Sequence, residues 1–360
     1  MLGIIGGGQL ARMLALTAHT KGWPITVLTE KANDPAAQVV GQAHVGPLEH
    51  DRIRQFLADI DILTFESEFT DIDLIKELKP KTLKVFPALN VIKTIQDRLT
   101  QKLLLERFRI PTAEWCSILR PTEISEAQEK FSGEFVLKAR RFGYDGYGTF
   151  VYSKGKCAKE PVDRMGTGFI AERKIKFKRE LAFSVARSTS GQTRLLPLVH
   201  SIQKDSRCYS VSGPIRHRGF NKLSAAILNM MKSIDYVGIL AIELFETKSG
   251  LLVNELAPRV HNSAHYSMDA LQCSQFEYHL RAGLGLDLPA VSLRSPGFAM
   301  INLLGGGKTV RFSEKSSGYY HWYGKDQNKP GRKMGHINTL GPSGKVALKR
   351  AEDWRKDFQL

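Results

Sequence analysis

Two glutamates interrupt neighbouring apolar segments in the second half of the sequence. Glu243 lies in Ile-Glu-Leu and Glu255 in Asn-Glu-Leu, and a turn sequence at 247–250 separates the two segments. The pattern predicts a pair of adjacent strands. A carboxylate in such a place needs a cation, and Mg²⁺ bridging nucleotide phosphates is one that fits. Ion pairing with Arg259 or a lysine is the structural alternative for each acid.

Lysines and glycines earlier in the chain favour an anionic ligand. Lys138 ends the apolar segment Phe-Val-Leu-Lys, and an ammonium there is costly unless it meets an anion. A few residues on, Gly143, Gly146 and Gly148 place three glycines in six residues. Such a loop can fold over phosphate oxygens through its backbone N–H groups. A β-hairpin turn is the alternative explanation for these glycines.

A second glycine turn lies at the N-terminus, between a predicted strand and a predicted helix. Its pattern is Gly6-x-Gly8-x-x-Ala11, and Glu30 follows the second predicted strand. The N-terminus of a helix after such a turn can bind a phosphate, and the acid is in the place that binds a dinucleotide ribose. The motif alone leaves three explanations open: an NAD site, another phosphate site, or close packing of helix on strand.

The segment 257–266 combines a proline with polar side chains and lacks the pattern of a solvated helix. It contains Arg259, His261, Asn262 and His265. We interpret it as the lining of a site, with a surface loop as the alternative.

Strands and helices alternate in the first quarter of the chain, which predicts a parallel α/β sheet. The strands are expected at 2–6, 23–29, 60–65 and 82–86, and the helices at 9–20 and 53–57. The pattern then changes to one helix over 90–108 and a series of shorter β units. These are expected at 135–138, 148–152, 169–172, 180–187, 194–199, 239–245 and 251–256, with helices at 223–234 and 274–283. The polar segment 202–220 is predicted to be a mobile connection, and 296–345 to be β-rich with a basic cluster.

Composition narrows the class of protein. The 360 residues are 42% hydrophobic and 24% charged, typical of a globular chain of two or three domains. Four separated cysteines and no long apolar segment argue against a disulfide framework, a zinc site or a membrane span. The net charge of +16 favours anionic partners, but aromatic residues are not interleaved along a basic face as in nucleic-acid-binding proteins. No basic region precedes the first apolar segment, so we expect a cytoplasmic protein without a signal peptide.

The order of two lysines, a glycine loop and spaced acids resembles the ATP-grasp superfamily. Within it, the chain is similar over nearly its whole length to the N5-carboxyaminoimidazole ribonucleotide synthetase family. The matching segments are Gly6–Leu10, Asp97–Lys102, Gly143–Gly146, Asn254–Ser263 and Pro330–His336.

The resemblance implies a site for ATP and Mg²⁺. Two lysines, the glycine loop, an inter-lobe hinge and several polar groups would bind ATP: Lys102, Lys138, Gly143, Gly146, Gly148, Thr149, Glu172, Arg173, Lys174, Ile175, Glu180, Gln203, Asn254 and Glu255. Glu243 and Glu255 would be the Mg²⁺ ligands.

The resemblance also implies a site for 5-aminoimidazole ribonucleotide. The groups around this substrate would be Gly8, Gln9, Leu10, Glu66, Lys325, Arg332 and Lys333, with Glu68 beside Glu66. The catalytic groups flanking the reacting atoms would be Tyr144, Asp145, Arg259, His261 and Asn262.

The implied fold class is α/β and α+β. A Rossmann-like N-terminal domain over 1–95 would precede an ATP-grasp domain over 96–290, with a smaller lobe at about 112–175, and a β-rich C-terminal domain over 291–360. The implied reaction is carboxylation of the aminoimidazole ribonucleotide in purine biosynthesis, with ATP and bicarbonate consumed through carboxyphosphate. A homodimer is also implied.

Some positions depart from the family pattern. Tyr147 stands where the loop usually carries Arg or Lys, which removes a positive charge. Phe142 and Ala11 replace usual glycines. A diverged nucleotide-binding homologue with weak or different ligase activity is therefore the alternative. An NAD-dependent oxidoreductase would leave Lys138, the second glycine loop and the two glutamates without a role.

Overall fold

The computed structural model describes residues 1–143, 146–154, 156–157, 168–307 and 318–358. The described residues form three β-sheets, one parallel and two antiparallel. None of the helices in these ranges is both long and apolar enough to cross a membrane.

The first sheet is parallel, as the alternation of strands and helices predicts. Its strand order is β3-β2-β1-β4-β5, with all four residues of β1 buried. The strands are β1 Leu2–Ile5, β2 Ile25–Thr29, β3 Ala43–Val45, β4 Ile62–Phe65 and β5 Lys84–Val85. The helices are α1 Gln9–Thr20, α2 His50–Ala58, α3 Ile72–Leu78 and α4 Leu89–Ile95, and a short 3-10 helix spans Ala37–Val39.

The second sheet is antiparallel with the order β6-β10-β7-β8-β9. Its strands are β6 Trp115–Ile118, β7 Phe135–Ala139, β8 Thr149–Ser153, β9 Lys156–Cys157 and β10 Phe169–Arg173. The helices α5 Arg98–Arg107 and α6 Glu123–Lys130 accompany it.

The third sheet has nine described strands. Its order is β16-β15-β11-β13-β14-β17-β19-β18, and β12 pairs with β11. The strands are β11 Arg179–Arg187, β12 Thr193–Leu195, β13 Val199–Lys204, β14 Arg207–Gly213, β15 Gly238–Glu246, β16 Leu251–Ala257, β17 Gly297–Leu304, β18 Tyr319–Trp322 and β19 Lys333–Gly341. The helices are α7 Phe220–Ser233, α8 Ser267–Ala270, α9 Gln275–Leu284 and α10 Gly344–Arg355, and a 3-10 helix spans Asn262–Ala264.

The predicted helix over 90–108 is wrong in one respect, because the structure breaks it into α4 and α5. Asp97 interrupts the helix in an extended conformation, and its carboxylate accepts a hydrogen bond of 2.9 Å from the backbone N–H of Leu99. Two further bonds of 3.0 and 2.6 Å from Arg140 hold the same carboxylate. Asp97 thus anchors the start of α5 to the end of β7.

The prediction of a mobile connection over 202–220 is also wrong. Residues Val199–Lys204 and Arg207–Gly213 form a β-hairpin within the third sheet. The polar residues are misleading here because Ser201, Ser210 and Ser212 are buried inside the sheet. The β-rich region at 296–345 is confirmed as β17, β18 and β19, but a further helix, α10, follows it.

The N-terminal sheet is joined to the third sheet by buried polar contacts. The Oγ1 of Thr64 lies 2.8 Å from the Nε2 of His279, whose Nδ1 accepts a 3.0 Å bond from the N–H of Ile239. A ring nitrogen that accepts leaves the proton on the other nitrogen, so neutral His279 donates to Thr64. Burial lowers the pKa of His279 to about 3, which keeps it neutral.

Candidate active site

Two lysines from different elements meet one buried glutamate. The Nζ of Lys102, on α5, lies 2.9 Å from Glu172, and the Nζ of Lys138, on β7, lies 2.8 Å from it. Burial alone would raise the pKa of Glu172, but the two ammonium groups outweigh it and lower the pKa to about 2. The three predicted ATP-binding residues therefore form a charged triad at the end of β10.

The triad extends to the strand that carries the predicted metal ligand. Lys138 donates a 2.9 Å bond to Oδ1 of Asn254, next to Glu255 on β16. Lys102 donates a 2.5 Å bond to Oγ1 of Thr112, which in turn donates 2.7 Å to the carbonyl of Val253. Both lysines thus connect the second sheet to β16, whose register sets the position of Glu255.

Arg98 belongs to the same site, although it is not among the site residues predicted from the sequence. Its Nη2 lies 2.9 Å from Glu255, and its guanidinium also donates to the carbonyls of Ala139 at 3.0 Å and Gly143 at 3.3 Å. Glu255 therefore pairs with Arg98 and not with Arg259. The available signal was the position of Arg98 directly after Asp97, at the start of α5.

The described part of the glycine loop needs its glycines. A Cβ on Gly143 would lie 2.4 Å from Nη1 of Arg98. Gly146 and Gly148 have φ angles of +83° and +71°, which side chains disfavour, and the N–H of Thr149 donates 3.3 Å to the carbonyl of Gly146. The predicted catalytic residues Tyr144 and Asp145 lie outside the described residues.

Glu243 and Glu255 face each other directly across the β15–β16 ladder, as the paired-strand prediction requires. Burial, then Glu255 and Glu180, raises the pKa of Glu243 to about 7. Glu180 lies on β11 nearby, and burial raises its pKa as well. Glu243, with its raised pKa, and the opposed carboxylate of Glu255 form a donor set for a divalent cation, which would offset the repulsion between them. Among the described residues, no group of three or more His, Cys, Asp or Glu side chains is placed to hold a metal ion.

The segment after β16 brings His261 beside Glu243. The Nε2 of His261 lies 3.7 Å from the Glu243 carboxylate, and its Nδ1 accepts 3.3 Å from the N–H of Ser263. Neutral His261 therefore carries its proton on Nε2. Burial, with Arg259 and Lys333, lowers the pKa of His261 well below its usual range.

Partners behind this segment hold it in place. Arg259 forms a bidentate ion pair with Glu68, in which Nη2 lies 3.0 Å from Oε1. The amides of Asn262 and Asn302 exchange hydrogen bonds of 2.7 and 3.1 Å. Gln275 accepts 2.8 Å from the backbone N–H of His261 and donates 2.8 Å to its carbonyl. The side chains of Arg259 and Asn262 and the backbone of His261 are thus held by Glu68, Asn302 and Gln275, respectively.

Lys333 acts on the acidic part of the site, whereas Arg332 and Lys325 contact other residues of the C-terminal segment. Burial dominates the pKa shifts of both Glu243 and His261. The positive charge of Lys333 opposes the rise in the pKa of Glu243 and adds to the lowering of the pKa of His261. Arg332 donates 3.2 Å to the carboxylate of Asp326, and the Nζ of Lys325 lies 5.8 Å from the ring centre of Tyr323.

The structure does not bring every predicted ATP-binding side chain into this group. Arg173 pairs with Glu114 at 2.7 Å and Lys174 with Glu134 at 3.0 Å, both on the exposed surface of the second sheet. Ile175 is half-buried, and Gln203 donates 3.0 Å to Ser201. Within the described ranges, none of these four side chains forms a hydrogen bond or ion pair with the charged triad.

The N-terminal glycine turn binds a carboxylate of the protein itself, that of Glu66. The backbone N–H groups of Gly8 and Leu10 donate 2.6 and 3.1 Å to the carboxylate of Glu66. A Cβ on Gly8 would lie 2.3 Å from that carboxylate. These two amides therefore do not form the open phosphate cradle that the sequence suggested, because Glu66 already accepts from them. Gln9 and Glu66 remain predicted substrate contacts.

Three known domain families match consecutive parts of the chain. They are the ribonucleotide synthetase preATP-grasp domain at 1–96, the ATP-grasp domain at 103–276 and the phosphoribosylaminoimidazole carboxylase C-terminal domain at 299–350. The N5-carboxyaminoimidazole ribonucleotide synthase of Synechococcus elongatus is 38% identical over an alignment 369 positions long, which covers 98% of this chain and 92% of that protein. The chain belongs to the N5-carboxyaminoimidazole ribonucleotide synthase family.

Solved structures of this family share the fold. The N5-carboxyaminoimidazole synthetase of Staphylococcus aureus complexed with ADP is 27% identical with a TM-score of 0.89, over 98% of this chain and 96% of that one. The Aspergillus clavatus synthase in complex with ADP and 5-aminoimidazole ribonucleotide is 28% identical with a TM-score of 0.86, over 99% and 98% of the two chains. The ATP-grasp fold with a preATP-grasp domain and a family-specific C-terminal domain is thereby confirmed.

Proposed function

We propose that this protein uses ATP and bicarbonate to carboxylate 5-aminoimidazole ribonucleotide to the N5-carboxyamino product in purine biosynthesis. One observation carries the proposal: Lys102, Lys138 and Glu172 converge beside the opposed Glu243–Glu255 pair in a chain of this family. Cations for phosphate oxygens and carboxylates for a metal are the parts that phosphoryl transfer needs.

Mg²⁺ fits the donor set of the Glu243–Glu255 pair, with Asn254 beside it. When bound, the ion neutralises charge that develops on the transferred phosphoryl group. Glu243 must lose its proton before it can act as a ligand, and its pKa of about 7 places that step near neutral pH. Lys138 already contacts Asn254, so it is placed to orient phosphate oxygens beside the metal ligands.

The residues of the chain also exclude water from the reaction. Carboxyphosphate hydrolyses readily, so a cover over the phosphates is required. Gly146 lies against Ser206 of the β13–β14 hairpin, where an added Cβ would come within 2.5 Å of the serine Cβ. The glycine loop thus reaches from the second sheet to the third, and we propose that it covers the triphosphate.

At the other end of the site, we propose that His261 and Asn262 flank the imidazole. The fixed Nε2–H of His261 points toward Glu243, and Asn262 is held by Asn302. We propose that Lys325, Arg332 and Lys333 bind the substrate phosphate.

We also propose that the chain divides into domains near residues 95 and 290. We propose further that the protein forms a homodimer and is located in the cytoplasm.

ADP release by the purified protein tests the function. Mg-ATP is supplied with bicarbonate and 5-aminoimidazole ribonucleotide, separately and together. We expect release that requires the ribonucleotide and is lost in Glu255→Gln. The matched control is Asp235→Asn, whose carboxylate side chain is 93% exposed and which should keep full activity.

The alternative is a diverged homologue that binds ATP without this turnover. Tyr147 favours it, since this half-exposed side chain brings no positive charge to the glycine loop. ATP binding with no stimulation by either co-substrate would support that alternative and overturn the carboxylase proposal.

A further inference from the structure

The tip of the β13–β14 hairpin lies between two parts of the site. Ser206 touches the glycine loop at Gly146, as described above. The next residue, Arg207, contacts the segment before β19, since a Cβ on Gly331 would lie 2.6 Å from its Nη1. Gly331 directly precedes Arg332 and Lys333. The guanidinium of Arg207 therefore lies against the backbone of the basic segment.

Arg207 has no anionic partner in the described part of the chain. It is half-buried, and no hydrogen bond or ion pair of its side chain forms with the described residues. Nearby Arg332, in contrast, pairs with Asp326 at 3.2 Å. A guanidinium presents five donors in a planar fork that matches carboxylate and phosphate oxygens. One held at a site edge without an acceptor has its donors available to a ligand.

The basic residues that follow Gly331, which Arg207 contacts, indicate the chemistry of that ligand. Arg332 and Lys333 follow Gly331 in the sequence, and Lys325 lies on the same C-terminal segment. Tyr147 adds no cation from the glycine-loop side. A dianionic phosphate matches several neighbouring cations better than a single carboxylate does.

We propose that Arg207 binds the phosphate group of the ribonucleotide substrate. The inference rests on the proposed function for the identity of that substrate. It assigns the hairpin tip two contacts at once: Ser206 with the loop over ATP, and Arg207 with the phosphate of the second substrate. Arg207 is a binding residue, and it takes no part in phosphoryl transfer.

Calorimetric titration tests the inference with two probes, 5-aminoimidazole ribonucleotide and ribose 5-phosphate. We expect Arg207→Gln to raise the Kd of both probes about tenfold, the loss typical of one charge-assisted hydrogen bond. The Kd of ADP should not change. Arg207→Lys should recover part of the affinity, because it restores the charge but not the fork.

Lys204→Gln is the matched control on the same hairpin. The Nζ of Lys204 lies 3.4 Å from the ring centre of Tyr209, so its charge is already engaged there. This variant should leave the Kd of both probes unchanged. If Lys204→Gln and Arg207→Gln raised the Kd by the same factor, the effect would come from the loss of one positive charge anywhere on the hairpin, and the inference would be overturned.

The outcomes separate the inference from the proposed function. Ribose 5-phosphate binding that Arg207→Gln weakens, in a protein without carboxylase turnover, supports the phosphate site and overturns only the function. Normal turnover with no change of Kd in Arg207→Gln overturns only the inference. Wild-type protein that binds neither probe contradicts both.

Discussion

Glu243 lies opposite Glu255 in the β15–β16 ladder, and burial together with this opposed carboxylate raises the pKa of Glu243 to about 7. A cation that binds the pair must displace the proton that Glu243 carries at lower pH. We therefore expect the Kd of Mg²⁺ to be about tenfold higher at pH 6 than at pH 8, from the proton competition alone. Calorimetric titration with Mg²⁺ at the two pH values measures it. Equal affinity at both would contradict the assignment.

The same shift predicts an effect on stability in the metal-free protein. The folded-state pKa of Glu243 is above the usual 4.5, so its contribution to stability is complete below pH 4.5 and is lost as the pH rises through 7. Glu243→Gln should therefore raise the free energy of unfolding at pH 8 and leave it unchanged at pH 4.5. Urea unfolding at both values tests this, and added Mg²⁺ should reverse the order of the two proteins at pH 8.

Removing the shared carboxylate of Glu172 should strongly destabilise the fold. Glu172→Gln leaves the ammonium groups of Lys102 and Lys138 buried without their counter-ion, and such losses cost about 3–5 kcal/mol. The control is Glu134→Gln, because the Lys174–Glu134 pair is exposed and worth at most about 1 kcal/mol. Urea unfolding curves compare the two. Similar losses in both variants would show that the triad contributes little.

Arg98 should couple the glycine loop to the metal ligand. Arg98→Met removes one guanidinium that contacts Glu255 and the carbonyls of Ala139 and Gly143. We expect kcat for ADP release to fall about tenfold to a hundredfold, as when a preorganised charged donor is lost. Arg107→Met, on the same helix, serves as control. Undiminished kcat in Arg98→Met would place Arg98 outside the catalytic arrangement.

Acid should weaken the junction between the N-terminal and third sheets. The pKa of His279 is lowered to about 3 from a usual 6.5, so its contribution to stability is present above pH 6.5 and is lost as the pH falls toward 3. His279→Gln should therefore show a weaker fall of Tm between pH 6.5 and 4 than the wild-type protein. Calorimetric melting at several pH values measures the difference. Equal slopes in the variant and the wild-type protein would contradict this role for His279.

The sequence predicted those parts of the site in which residue type and local spacing determine the chemistry. Lys138 at the end of an apolar strand and Glu243 within one were recognisable because a buried charge needs a partner. Which partner each acquires depends on strand register and helix docking. The pairing of Glu172 with two lysines, and of Glu255 with Arg98, is therefore visible only in three dimensions.

Local polarity and periodicity predicted some secondary-structure elements incorrectly. The hairpin at 199–213 contains buried serines whose backbone groups are satisfied by neighbouring strands, so its composition resembles that of a loop. Likewise, Asp97 breaks a helix that periodicity alone continues, because its carboxylate is needed to cap α5 and bind Arg140. Tertiary contacts decided both cases.

The Glu66 carboxylate belongs to the same chain as the glycine turn, and it accepts hydrogen bonds from two backbone N–H groups of that turn. A group attached to the same chain acts at an effective concentration that a freely diffusing metabolite seldom reaches. Gly8 and Leu10 are consequently shielded from the phosphates of the many nucleotides that a Rossmann-like turn would otherwise attract. A free dinucleotide phosphate would therefore have to displace the Glu66 carboxylate before it could bind these two amides.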